Sequence, residues 1–222
     1  MVGEAWTDTD VIKNYYGTGS DEFNMCFDFG LPYNIRYSIQ NGSAGNSSDG
    51  YKHYEEYVKS LNFPSYGKLA AFSVNHDNVV SRAATLYGGD RKKCIDSAAL
   101  NIFAYGVPFV YYGEEVGMTG ASGEDINLRS NFPWGSVTTQ SADTQSILSW
   151  YKYLIAARKQ NRALCEGGMT FYSNTSAADG SGTAGTTALT WVADYNTQFV
   201  LVVINLKSST QTFNVTGLPV SG

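Results

Sequence analysis

Residues 69–77 constrain this chain more than any other stretch. The short apolar run of Leu69, Ala70, Ala71, Phe72, Ser73 and Val74 stops abruptly at three polar residues, Asn75, His76 and Asp77. A continuous apolar run too short for a helix reads as a buried parallel strand. Polar side chains at the C-terminal end of such a strand occupy the edge where open α/β sheets and (β/α)₈ barrels carry their chemistry. Asn and Asp are also common turn residues, so the triad taken alone equally describes an ordinary polar turn. The rest of the chain decides between the two.

Taken in order, the chain repeats this pattern. A strand is expected over 1–5 with Glu4 at its C-terminal end, and another over 23–29 ending in Asp28-Phe29-Gly30. After a Gly/Ser/Asn loop at 43–50, Tyr51, Tyr54, Val58 and Leu61 recur at helical spacing, with Pro64 closing the helix. Asp90 is placed to cap a helix whose apolar face includes Cys94, Ala98 and Ile102, with Gly106 and Pro108 as stop signals. A fourth strand is expected over 108–112, followed by Gly113-Glu114-Glu115. The segment 113–143 reads as one long loop, too long for an ordinary connection and therefore functional. Ile147, Tyr151, Leu154, Ile155 and Arg158 mark an amphipathic helix capped near Asp143. Beyond Gly167-Gly168 only β signals remain, at 169–172, 189–193, 199–205 and 212–215, around a small, polar and flexible segment at 173–187. Strands alternating with helices, then strands alone, predict two units: an α/β part over 1–165 and an all-β part over 166–222.

Composition excludes several partners. Lys and Arg number 15 against 20 Asp and Glu, a net charge of −5. With no basic run, neither a nucleic acid nor an anionic membrane surface is expected. The longest apolar run, 102–112, is broken by Gly106 and Pro108 and is too short to span a bilayer. Cys26, Cys94 and Cys165 are widely spaced and odd in number, which reads as buried thiols. Two histidines and no Cys-x-x-Cys leave little for a transition metal.

Several motifs, each weak alone, agree in order and spacing. Val2-Gly3-Glu4-Ala5-Trp6 resembles the fifth-strand motif of the α-amylase-type glycoside hydrolases (family 13), which are retaining α-glucan enzymes on a (β/α)₈ barrel. Phe72-Ser73-Val74-Asn75-His76-Asp77 resembles the seventh-strand motif of that family. Pro108-Phe109-Val110-Tyr111-Tyr112-Gly113-Glu114-Glu115-Val116-Gly117-Met118 resembles its eighth strand and loop. Asp125-Ile126-Asn127-Leu128-Arg129 with Phe132-Pro133-Trp134 is similar to the substrate loop that follows. Leu154-Ile155-Ala156-Ala157-Arg158 is similar to the last barrel helix, and 200–206 to a strand of the C-terminal β-sandwich. The resemblance implies the C-terminal half of a TIM barrel, strands five to eight, followed by a partial all-β sandwich domain.

It also implies roles. Glu4 would be the catalytic acid/base and Asp77 the carboxylate that holds sugar hydroxyls in the transition state. Trp6, Asn75, His76, Asp125 and Arg129 would contact the α-glucan oligosaccharide or polysaccharide. The residues alone leave alternatives open: Trp6 equally suits a core, His76 a structural role, and Asp125–Arg129 a loop salt bridge. Glu114 and Glu115 are expected to be structural. Retaining hydrolysis needs one acid and one nucleophilic carboxylate roughly 5 Å apart, with the acid's pKa raised by a partly apolar pocket for which Trp6 is a candidate wall.

The family's nucleophile follows Arg-x-Asp, and no Arg-x-Asp occurs in these 222 residues. The resemblance therefore implies a fragment, inactive alone, with no cofactor in this segment and calcium only in a longer parent. Four strands cannot close an eight-stranded barrel, so self-association through open edges is expected. A soluble protein is expected, and no leader is visible, which assigns no compartment to a chain read as starting internally. The other reading is a non-catalytic carbohydrate-binding or interaction protein on the same fold. Neither α-1,4 against α-1,6 linkage nor hydrolysis against transfer is legible.

Overall fold

The computed structural model describes residues 1–17, 22–63, 68–77, 79–172, 188–213, 215, 217 and 218. Four strands, β1 (Val2–Gly3), β2 (Met25–Phe27), β3 (Lys68–Ala71) and β4 (Val107–Pro108), form one sheet in the order β1-β2-β3-β4. All three pairings are parallel, with Val2 opposite Met25, Cys26 opposite Leu69 and Ala70 opposite Val107. The strands are shorter than the apolar runs that announce them. Pairing stops at Ala71, so Phe72 to Asp77 leave the sheet as a loop, and after Pro108 only the bond from Phe109 N–H to Ala71 O (2.7 Å) continues the ladder. The polar ends 4 and 75–77 thus leave the same edge of the sheet, because every strand runs the same way.

Between strands lie α1 (Thr9–Ile12), α2 (Gly30–Asn41), α3 (Tyr51–Ser60), α4 (Ala83–Leu86) and α5 (Arg91–Ile102). Helix α3 occupies the predicted turns; its expected stop, Pro64, lies outside the described residues. In α5 the Asp90 side chain accepts from Lys93 N–H (3.1 Å), the capping bond its sequence foretells. Helix α2 has no counterpart in the expectations. Its buried face alternates Leu31, Ile35 and Ile39 with Asn34 and Ser38, so the apolar period is broken by polar residues. Those polar groups are satisfied in the fold: Asn34 accepts from Gly50 N–H (2.8 Å) and Ser38 from Tyr51 N–H (2.9 Å).

The stretch 113–143 is not a plain loop. It holds a 3-10 turn (Glu114–Val116), α6 (Asp125–Leu128) and α7 (Trp134–Ser141). Helix α8 (Ile147–Gln160) is capped by Ser146, which accepts from Ser149 N–H (3.1 Å), and not by Asp143. Arg158 reaches from α8 to the carbonyls that end α5, bonding Ile102 O at 2.7 Å, and also bonds Gly106 O at 2.5 Å. Helix α9 (Arg162–Glu166) leads into the second sheet.

That sheet is antiparallel: β5 (Gly168–Phe171), β6 (Ala188–Tyr195) and β7 (Gln198–Asn205). The tight β6–β7 turn carries Asn196 at φ +54°, a conformation Asn tolerates better than most residues. Among the described residues it is a single sheet, and no second facing sheet makes a sandwich. Thr212, Phe213 and Val215 lie in no strand; position 214 and the segment 173–187 lie outside the described residues. The sheet shares its core with the α/β part. Trp191, fully buried, packs its ring 5.8 Å from Tyr51 of α3 and 5.7 Å from Phe171, and Lys59 donates to Met169 O at 2.9 Å. Cys26 and Cys94 are buried, whereas Cys165 is exposed, against the expectation of three buried thiols: α9 turns it outward, and its Sγ lies 3.0 Å from Arg158 O. No helix of the described residues is long and apolar enough to cross a membrane.

Candidate active site

Two adjoining clefts open at the C-terminal ends of β1–β4. The first, of about 140 Å³, is bordered by Glu4, Asn75, His76 and Tyr111 over a wall of phenylalanines, among them Phe27, Phe72 and Phe109. Phe27 sits between the other two, edge-on, with centroids 5.7 Å and 5.0 Å away. Glu4 stands exposed one residue beyond β1, where Gly3 admits the Phe23 ring; a Cβ at Gly3 would meet that ring at 3.0 Å. The second cleft, of about 170 Å³, is bordered by Asp77 and Trp6, and shares Phe29, Phe72, Val74 and Asn75 with the first.

Asp77 is held by its neighbours. Asn75 Nδ2 donates to Asp77 Oδ2 at 2.6 Å, and Asp77 N–H donates back to Asn75 Oδ1 at 3.1 Å. His76 Nε2 lies 3.5 Å from Asp77 Oδ1, and the imidazole is 6.3 Å, centroid to centroid, from Tyr111. One polar turn therefore fixes the carboxylate and presents the imidazole to the first cleft. Trp6 is not a core residue: it is 67% exposed and stacked on Phe29, with centroids 5.5 Å apart and planes 11° apart. It walls the cleft of Asp77, not the cleft of Glu4. Asp125 and Arg129 bridge each other across one turn of α6 at 3.3 Å, both about half exposed, and border neither cleft.

Sequence reasoning missed the residue that ties these loops together. Arg82, five residues after Asp77, is fully buried. Its guanidinium donates to Tyr112 O (2.7 Å), Leu128 O (2.6 Å) and Glu114 Oε1 (3.2 Å), and lies over the rings of Tyr111 and Tyr112 at 4.4 and 4.8 Å. Glu114, also buried, accepts from Ala83 N–H at 3.2 Å through its other oxygen. Burial pushes the Glu114 carboxyl up to about 7, against the pull of Arg82. Tyr111 adds a hydroxyl bond to Leu128 O at 3.0 Å. The available signal was a lone Arg set among Val79, Val80, Ala83 and Ala84, and a Glu directly after an apolar run. Among the described residues no group of three or more His, Cys, Asp or Glu is placed to hold a metal ion.

The model of the family described as "Alpha amylase, catalytic domain" matches residues 1–131. Alpha-amylase 3 of Dictyoglomus thermophilum is 27% identical over 96% of this chain and 44% of its own length. Alpha-amylase SusG of Bacteroides thetaiotaomicron is 29% identical over 78% of this chain and 27% of its own. Among solved structures, an alpha-amylase from H. orenii superposes with a TM-score of 0.73 at 22% identity, over 92% of this chain and 43% of that one. The chain thus spans less than half the length of these relatives, and the four parallel strands are part of a TIM barrel. With the family's model covering more than half of it, from the strand of Glu4 past that of Asp77, this chain belongs to the alpha-amylase family.

Proposed function

We propose that this chain supplies the acid/base and the stabilising carboxylate of a retaining enzyme acting on α-glucosidic bonds of starch-like or maltooligosaccharide substrates. The observation that carries the reading is the delivery of Glu4 and Asp77 to adjoining clefts on one sheet edge of an alpha-amylase-family chain. Glu4, exposed at the mouth of its cleft, protonates the leaving glycosidic oxygen. Asp77, its geometry set by Asn75 and His76, accepts hydrogen bonds from sugar hydroxyls, and these tighten as positive charge develops on the ring. A nucleophilic carboxylate is still required. No Arg-x-Asp stands in these residues, and four strands form half of an eight-stranded barrel. The nucleophile therefore comes from outside this segment, with 1–165 as the second half of the barrel and 166–222 as the start of a C-terminal β domain.

The purified 222-residue chain is expected to show no turnover of maltoheptaose or of an activated aryl α-glucoside. In a longer chain that restores the nucleophile, Glu4→Gln and Asp77→Asn should each lower kcat and kcat/KM together, because both groups act chiefly in the transition state. Steady turnover by the isolated chain, abolished by Glu4→Gln, would overturn the division of the site. A mere rise in KM in the longer chain would remove the catalytic roles. The missing Arg-x-Asp is also the observation that favours a second reading, a glycan-binding protein on the same fold, whose coding sequence upstream of Glu4 would then carry no Arg-x-Asp either.

A further inference from the structure

At the opposite edge of the parallel sheet, where Lys68 opens β3 and Val107 opens β4, a cavity of about 140 Å³ lies against α9 and β6. Much of its wall is apolar, with Phe103, Leu164, Met169 and Ala193. Two polar residues on that wall lack the partner their burial calls for. Trp191 is fully buried, and its indole N–H bonds no other group among the described residues, whereas a buried indole ordinarily finds an acceptor. Arg158 is 8% exposed and donates to the carbonyls of Ile102, Ala104 and Gly106. Those carbonyls solvate its charge without neutralising it, and among the described residues it makes no ion pair. Lys68 adds a second cation that is in no such pair, exposed at the rim. Glu166, the carboxylate on the wall, is half exposed and already paired with Arg162 at 2.9 Å.

We infer that this cavity is a binding site for a short-chain monocarboxylate, whose carboxylate accepts from the Trp191 indole N–H and balances Arg158 and Lys68 while its alkyl tail lies on Phe103, Leu164 and Met169. The size fits, since a cavity of about 150 Å³ holds a benzene-sized body, and an acid of about four or five carbons is no larger. A water molecule could serve the indole but would leave the buried cation without a counter-charge. A sulfate or phosphate would turn further charged oxygens toward an apolar wall that offers them no donor. The site takes no part in the chemistry assigned to Glu4 and Asp77, and it stands or falls without that reading. Cys165 marks its mouth: the thiol is exposed and lines the cavity, whereas Cys26 and Cys94 are buried elsewhere.

The test is titration of the 222-residue chain with sodium butanoate at constant ionic strength, with sodium chloride, 1-butanol and butylammonium chloride as the comparisons. Two readouts report the cavity: the nitrogen–proton signal of the Trp191 indole, and the rate at which iodoacetamide alkylates Cys165. Butanoate should move the indole signal saturably and slow alkylation roughly threefold or more, and the three comparison solutes should do neither. Trp191→Phe keeps a ring in place and removes the donor, so by the alkylation readout it should weaken butanoate binding roughly tenfold, the worth of one hydrogen bond to a charged group. Lys68→Glu changes only an exposed side chain at the rim and should weaken binding roughly threefold or more. Should Trp191→Phe fail to fold, Lys68→Glu decides alone. Absence of a saturable response to butanoate would show a cavity holding water only and would overturn the site. An equal response to 1-butanol or butylammonium would overturn it as well, as would undiminished affinity in Lys68→Glu or in a folded Trp191→Phe.

Discussion

Replacing Arg82 by Met should be among the most damaging single changes in the α/β part, and its cost should depend on pH in a specific direction. The side chain is fully buried and serves three acceptors: Tyr112 O, Leu128 O and Glu114 Oε1. Breaking a buried pair by removing one partner typically costs about 3–5 kcal/mol, because the other charge stays behind in a poor solvent. Hydrogen bonds from a charged donor are worth about 1.5–3 kcal/mol each, but these terms describe one site and do not add. We therefore expect a loss of about 4 kcal/mol at pH 8, a large share of the roughly 5–15 kcal/mol that holds a typical domain. Glu114 sets the pH dependence. Its carboxyl sits at about 7 with Arg82 present, and loss of the cation pushes it higher. At pH 5.5 the stranded carboxyl is protonated in the variant and the penalty shrinks; each unit of pKa difference is worth about 1.4 kcal/mol. Urea unfolding at pH 5.5 and 8 measures both costs, and the double variant Arg82→Met/Glu114→Leu should be more stable at pH 8 than Arg82→Met alone. A loss below about 1 kcal/mol, or an equal loss at both pH values, would refute the ion-pair account.

Three further outcomes are expected. Burial raises the carboxyls of Asp28, from 3.8 to about 6, and of Glu55, from 4.5 to about 8, so the fold favours their protonated forms; their contribution is complete below about pH 4 and is lost as pH rises through 6 and 8, which urea midpoints between pH 4.5 and 8.5 should follow, with Asp28→Asn removing the lower part of the slope. Gly30→Ala should destabilise by about 1–3 kcal/mol in thermal unfolding, because the new Cβ would lie 2.3 Å from the Tyr54 hydroxyl that donates to Asp28. Among the described residues the outer edges of β1 and β4 have no paired strand, so light scattering after size exclusion should report association that grows with concentration; a cooperative monomer at all concentrations would contradict this.

Where the sequence spoke clearly, one local period or one local turn was enough. The apolar runs ending at Glu4 and at Asn75–Asp77 announced parallel strands because a strand buried on both faces has no polar alternation to hide it. Asp90 announced α5 because a cap is a contact between neighbours in sequence, and the Asn75–Asp77 turn is local for the same reason. Helix α2 escaped because Asn34 and Ser38 break its apolar face, and their partners, Gly50 and Tyr51, lie more than ten residues away. Helix α7 escaped because none of its residues is buried, which leaves no apolar stripe to read.

Only the tertiary structure decided how the site is shared out. That Trp6 stacks on Phe29 beside Asp77 rather than walling Glu4, that Asp125 and Arg129 bind each other outside the clefts, and that Arg82 joins residues 82, 112, 114 and 128 are long-range outcomes of packing. Residue types and their spacing set which groups are available and which strand ends carry them. Which groups meet depends on how the loops leave the sheet, and that is fixed by burying charge and rings together, a condition no local stretch of the chain can state.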